Sequence, residues 1–217
     1  MKGMININYR NTRFCENLNF GEFETTGKFD IPVINPQNEL IAENIDFIGF
    51  DKAKQTKNPG NFGVHFFLDD YRFERLWRCP DQYIDLLMKF QCVMTPDFSL
   101  YTDFPKAIQI YNHYRKHWIG AFLQSWGISV IPTIAWSDKE SFKWCFDGTP
   151  KDSIVAVSSV GTQKAKDTKK MFLQGWEAMF ENLHPKKIIF YGNVPQECNG
   201  NIIQIEPFQN KFKRRNN

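Results

Sequence analysis

Apolar positions along this chain fall into two alternating textures. Short runs rich in β-branched and aromatic residues stand at 45–50, 64–68, 91–94, 128–135, 154–157, 187–191 and 202–205, most of them bounded by Gly, Pro, Asp or Ser. Runs of that length and composition predict strands. Between several of them lie helix-length segments with recognisable start and stop signals. Pro80 and Asp81 open a helix over 82–90, since proline suits a first turn and an acid suits the positive helix end. Asp103 is placed to cap a helix running from Pro105 to Trp126, on which Ala107, Tyr111, Tyr114, Trp118, Ala121 and Phe122 share one face. Gly127 ends that helix, and Arg115 and Lys116 fall on its solvent side. Ser137 and Glu140 have the spacing of a capping box for a short helix ending at Trp144. Asp167 caps a helix over 168–183, stopped by His184 and Pro185.

Strands that are apolar throughout, alternating with amphipathic helices, predict an α/β fold of parallel βα units buried on both faces. Right-handed crossovers then leave two architectures. A trimmed or irregular TIM-like barrel is favoured; an open doubly wound sheet is the alternative. Segment 51–63 reads as a loop, so the repeat is imperfect there. Residues 1–40, rich in Asn, Gly and Thr with one β-like piece at 29–34, form an arm packed on the body. Residues 41–207 form a single α/β domain, and 208–217 a basic, disordered tail.

Composition changes this picture little. At 217 residues with 42% hydrophobic and 24% charged, the chain has the balance of a folded protein, which excludes wholesale disorder. Its 21 Phe make ring packing a main constituent of the core. The formal charge of +3 is concentrated at the end, in Lys211, Lys213, Arg214 and Arg215, so attraction to a polyanion resides in the tail or in a local patch. The polar opening lacks a signal-peptide core, and no run approaches the ~18 apolar residues that span a bilayer. Cys15, Cys79, Cys92, Cys145 and Cys198 are odd in number and scattered, the usage of reduced thiols. Together these features predict a cytoplasmic chain with no membrane partner.

In either architecture chemistry collects at the carboxyl ends of the parallel strands. Asp69 and Asp70 follow one apolar run and Asp97 another, and each is a candidate base or nucleophile. Trp136 is placed to stack on a planar ring. The loop carrying Ser158, Ser159, Gly161 and Thr162, with Lys164 and Lys166 beyond it, is a candidate anion nest, and Tyr191 ends the next strand. Asp103 and Ser137 are better explained as caps, and Asp138 as a first-turn acid. His113 and His117 have the four-residue spacing of a metal pair. They lack a Glu beside the first His, so they read as a solvated helix flank and no metal site is expected. The cofactor is left open.

The segments FFLDDYRFERLW, CVMTPDFSLYTDFP, AFLQSWGISVIPTIAW, SIVAVSSVGT and IIFYGNVP resemble a family of phage and mobile-element proteins known as domain of unknown function 4417. The resemblance covers residues 29–196; it implies a mobile-element setting and transfers no catalytic residue. The order of strand-end residues also resembles the barrel of queuine-type transglycosylases. That resemblance implies that Asp69 or Asp70 holds the incoming base, that 158–161 replaces a glycine loop, and that Tyr191 and Gly192 close the site. The Asp-Ser-Gly-Gly element, the zinc-binding cysteine cluster and the full-length barrel of that family are missing here. Two functions follow as expectations. One is a site for a nucleotide, base or nucleic-acid segment, served by an Asp-dependent hydrolase or transferase. The other is a non-catalytic protein that inhibits a host defence or nuclease complex. Deleting residues 211–215 is expected to leave the melting temperature unchanged. In a chain that binds nucleic acid, it lowers the slope of log affinity against log salt by up to about four; an unchanged slope excludes the tail from that role.

Overall fold

The β-branched and aromatic runs pair with one another as parallel strands. The structure, a computed structural model, describes residues 23–37, 45–162 and 166–205. Its elements begin with β1 (Thr25–Thr26), β2 (Ile31–Pro32), β3 (Asp46–Gly49), β4 (Phe62–His65), α1 (Glu74–Arg78), α2 (Ile84–Leu87) and β5 (Cys92–Met94). There follow α3 (Lys106–Ser125), β6 (Val130–Ile131), β7 (Thr133–Ile134), β8 (Ile154–Ser158), α4 (Lys166–Leu183), β9 (Lys187–Tyr191) and β10 (Ile202–Ile205). β1 and β2 form an antiparallel hairpin. The other eight strands form two parallel sheets, ordered β3-β4-β5-β6 and β7-β8-β9-β10.

Only Pro132 separates β6 from β7. Proline has no N–H to donate into a ladder, and here the strand passes from one sheet to the other: β6 pairs with β5, and β7 with β8. Threonine side chains replace the missing ladder bond. Thr133 N donates to Thr95 Oγ1 at 2.8 Å, and Thr133 Oγ1 donates to Thr95 O at 2.8 Å. On the other side Ala156 N donates to Pro132 O at 2.9 Å.

The α/β class and the parallel pairing are as expected from the sequence, but the favoured barrel does not close. Strand order runs from β3 to β10 without reversal, yet β3 and β10 do not pair among the described residues. With β6 and β7 counted as one strand, the ring lacks a member relative to the eight of a standard barrel. The arrangement is open, in line with the alternative. Alternate residues of each strand face opposite sides. Ala156, Ile189 and Tyr191 enter a core shared with Val64, Val93 and Val130 of the other sheet. Val155, Val157, Ile188 and Phe190 pack under Phe172, Trp176 and Met179 of α4.

Several boundaries differ for local reasons. The helix expected over 82–90 is a 3-10 turn, Pro80–Tyr83, running into the short α2. Segment 51–63 contains 3-10 turns at Phe50–Gln55 and Pro59–Asn61. Pro105, rather than Asp103, precedes the first turn of α3. Asp138, rather than Ser137, caps the 3-10 turn Lys139–Lys143, its carboxylate accepting from Ser141 N at 3.1 Å. Of the amino-terminal arm, residues 23–37 are described, and Ile31 and Ile34 are fully buried. The basic tail, Cys15 and Lys164 lie outside the described residues. Among those described, no helix is long and apolar enough to cross a membrane.

On the expected apolar face of α3, Trp118 is buried, Phe122 is half-buried and Tyr111 is 39% exposed. The Trp118 ring stacks on Phe122 at 5.0 Å and meets Trp77 edge-on at 5.6 Å. Trp118→Ala is therefore expected to lower stability by about 3–5 kcal/mol in urea unfolding. An unchanged midpoint would remove that ring from the core.

Candidate functional site

Gln109, Asn112, His113, Lys116 and His117 recur at three- and four-residue intervals, so they form a polar stripe along α3. The stripe faces inward, and all five residues are at most 3% exposed. Arg115 is buried as well. The expected solvated flank at His113, Arg115, Lys116 and His117 is thus an interior surface. Polar groups placed there need partners, and most find a main-chain carbonyl. Gln109 Nε2 donates to Tyr101 O and Phe104 O at 3.1 and 2.9 Å, and Asn112 Nδ2 donates to Ser99 O at 2.7 Å. His113 Nε2 lies 3.0 Å from Asp147 O, and His117 Nδ1 lies 3.2 Å from Pro32 O. A carbonyl only accepts, so those ring nitrogens carry the protons. Burial holds both imidazoles neutral, well below their ordinary pKa, and each charged ring would also face Lys116. Arg115 donates to Glu74 Oε2 at 2.8 Å and to Asn112 Oδ1 at 2.6 Å, with its guanidinium 3.8 Å from the centre of the Phe98 ring.

Lys116 is the exception within the stripe. Its Nζ is buried with no hydrogen-bond partner, and the same is true of Asp97 Oδ1 at the carboxyl end of β5. Each group acts electrostatically on the other. Burial pushes the Asp97 carboxyl up to about 7, with the charge of Asp70 adding to the effect and Lys116 opposing it. Burial pulls the Lys116 amine down to about 8, with Asp97 opposing. The wide gap that ordinarily separates a lysine from an aspartate thus narrows, which favours proton exchange between the two groups. Nearby Cys145 is fully buried and its thiol is pushed up to about 12, which leaves it protonated and unreactive.

The residues expected at strand ends divide. Asp70 accepts from Ser99 N at 3.1 Å and from Ser99 Oγ at 2.9 Å, so it pins the segment that follows Asp97. Asp69 is 69% exposed on its side chain and pairs with Arg72 at 3.4 Å. Tyr191, the last residue of β9, is buried, its ring centre 4.7 Å from His65 and 4.9 Å from Phe67. Trp136 packs against α4, where only the missing side chain of Gly175 makes room for the indole. The Ser158–Thr162 loop is largely bonded to itself and its neighbour: Ser159 Oγ donates to Asn193 O, Thr162 Oγ1 donates to Ser159 O, and Ser158 Oγ accepts from Val160 N. Gly161, at φ +86°, lies at its open tip. Asp70 and Asp97 therefore come within electrostatic reach of each other, whereas Asp69 projects into solvent and Trp136 belongs to the packing of α4. A cleft of about 370 Å³ lined by Asp138, Glu140, Asp167 and Lys170 contains none of the expected site residues. Among the described residues no three His, Cys, Asp or Glu are grouped so as to hold a metal ion.

Residues 23–209 match the family described as Domain of unknown function (DUF4417). The chain belongs to that family. It is 33% identical over 193 residues to the Gene 1 protein of Mycobacterium phage L5, covering 89% of this chain and 84% of the relative. The Gene 1 protein of Mycobacterium phage D29 is 32% identical over 193 residues, covering 89% of this chain and 71% of that relative. No solved structure matches the chain.

In this DUF4417 chain, sequence reasoning reaches Asp97 but misses Lys116. The signal that could have found it is the polar stripe itself, at helical period and flanked on both sides by aromatic residues. The raised carboxyl has a consequence for stability. A group whose pKa rises from 3.8 to about 7 on folding contributes stability below pH 4, which is lost as pH rises through 7. Asp97→Asn removes that loss. Relative to the parent chain it should gain roughly 1.4 kcal/mol for each pH unit climbed between about pH 4 and 7. A pH-independent difference in urea unfolding would mean that Asp97 titrates normally.

Proposed function

We propose that this DUF4417 protein is an enzyme in which Asp97 and Lys116 carry out acid–base chemistry on a small polar substrate, with a nucleotide or base as the class to test first. The observation that carries the proposal is the buried Asp97 carboxyl oxygen, beyond the carboxyl end of β5, and the buried Lys116 amine on α3, both lacking hydrogen-bond partners. Other buried polar atoms lack partners too, Gln109 Oε1, His113 Nδ1 and His117 Nε2 among them, but Asp97 and Lys116 carry opposite charges that act on each other, and perturbed ionisable pairs concentrate at functional sites. Asp70 acts in positioning: its bonds to Ser99, with those of Asn112 and Gln109, hold the 97–105 segment over the pair. The host cytosol is the compartment we assign to this chemistry, a reading that the similarity to phage proteins supports.

A second reading rests on a different observation. Tyr71 is 74% and Tyr101 61% exposed, with Ile108 and Tyr111 also open to solvent. The segments that carry them are tied together by the Asp70–Ser99 and Gln109–Tyr101 bonds. Aromatic surface of that kind suits contact with a host protein complex or a nucleic acid.

The two readings separate in one set of variants. Thermal shift against a panel of nucleotides and bases should reveal a stabilising compound for the parent chain whose effect is lost in Asp97→Asn and kept in Tyr101→Ser. A panel without effect, together with loss of biological activity in Tyr101→Ser/Tyr111→Ser but not in Asp97→Asn, would favour the interaction protein.

A further inference from the structure

We infer that Lys116 is a nucleophile that forms an imine with a small aldehyde or ketone, and that Asp97 is the acid that completes the reaction. This inference rests on the acid–base reading of the same pair and names its substrate class. Three placements support it. Lys116 Nζ is enclosed and unbonded, so no hydrogen bond ties up its lone pair once the proton leaves. The nearby histidine rings are neutral and have committed their N–H groups to Asp147 O and Pro32 O, so they add no fixed positive charge to compete for Asp97. Asp97 retains some solvent contact although its Oδ1 has none, and its charge acts on the buried amine.

Imine formation needs an amine lone pair and a proton donor on the same site. Few side-chain pairs supply both near neutral pH, because an ordinary lysine is protonated and an ordinary aspartate is not. Here the two groups have moved toward each other: burial lowers the amine and raises the carboxyl. The Lys116 lone pair attacks the carbonyl carbon, a C–N bond forms, and the π pair moves onto oxygen. Transfer of a proton from nitrogen to that oxygen gives a carbinolamine. Asp97 then protonates the hydroxyl, the C–O bond breaks, water leaves, and the nitrogen lone pair forms C=N. One carbonyl compound and one proton are consumed and one water is released, with no oxidant or reductant required. The product iminium faces the Asp97 carboxylate, a pairing that stabilises it.

Reductive trapping tests this directly. The full chain is incubated with glycolaldehyde and sodium cyanoborohydride between pH 6 and 9, and adducts are located by peptide mass spectrometry. The expected result is an adduct on Lys116 that saturates with aldehyde concentration and forms faster at pH 7.5 than adducts on exposed lysines such as Lys139 and Lys151. Asp97→Asn should slow the Lys116 adduct by roughly 100-fold, within the usual contribution of a positioned acid, while exposed lysines react unchanged. Asp97→Glu, which keeps the carboxyl, should restore part of the rate, and Lys116→Arg should carry no adduct at that position. Labelling of exposed lysines with Lys116 untouched, or labelled only in urea, would overturn the inference. So would a Lys116 rate indifferent to Asp97→Asn. The pH dependence of Asp97→Asn stability reports on the acid–base pair independently. If that dependence holds while trapping fails, only the covalent step is lost.

Discussion

A helix that turns a polar stripe into an aromatic core constrains this structure more than any single sheet contact does. Leaving a buried donor or acceptor unmade costs roughly 1–3 kcal/mol, more than a typical made hydrogen bond contributes. The stripe on α3 therefore dictates where main-chain carbonyls must come. Gln109 and Asn112 fix the 97–105 segment, His113 fixes the turn at Asp147, and His117 fixes the hairpin arm at Pro32. Three stretches far apart in sequence are brought to one helix by hydrogen bonds that only their carbonyls can complete.

The aromatic residues make that arrangement tolerable. Arg115 is held between Phe98, Tyr111 and Trp77 while its charge is met by Glu74. Burying a guanidinium is costly unless it is both paired and covered, and flat rings cover it without competing for its N–H groups. The rings also set the limits of the polar region. Trp118, Phe122 and Trp77 pack along one side of α3, and His113 meets Trp144 at 5.5 Å on another. The interior thus contains a narrow polar seam with dry walls, in which electrostatic effects are stronger than at the surface.

Within that seam Lys116 and Asp97 differ from their neighbours. Gln109, Asn112 and both histidines are explained by the segments they hold, and removing any of them would unfasten part of the fold. Lys116 Nζ fastens nothing. Its position beside a strand-end carboxyl, under a segment clasped by Asp70, is what separates a functional reading from a structural one.

Apolar runs without alternation can be buried only on both faces, so the residue pattern was enough for the α/β class, the order of elements and the parallel pairing. The 187–191 and 202–205 runs became β9 and β10 without a shift of boundary. Asp97 was legible as a candidate for a related reason: a carboxylate just beyond a buried strand stands where strand ends converge. The side of α3 that faces inward was not legible. Trp118 and Phe122 mark one apolar side, but an amphipathic pattern cannot say that the polar side is buried too, since that depends on carbonyls arriving from residues 32, 99 and 147. Closure of the sheet was equally hidden, because edge pairing between β3 and β10 depends on curvature summed over every intervening strand, including the break at Pro132. The separation of Asp69 from Asp70 turned on one contact, the backbone and hydroxyl of Ser99, 29 residues away. Local pattern dictates which elements form; long-range hydrogen bonds and packing decide which of their side chains meet.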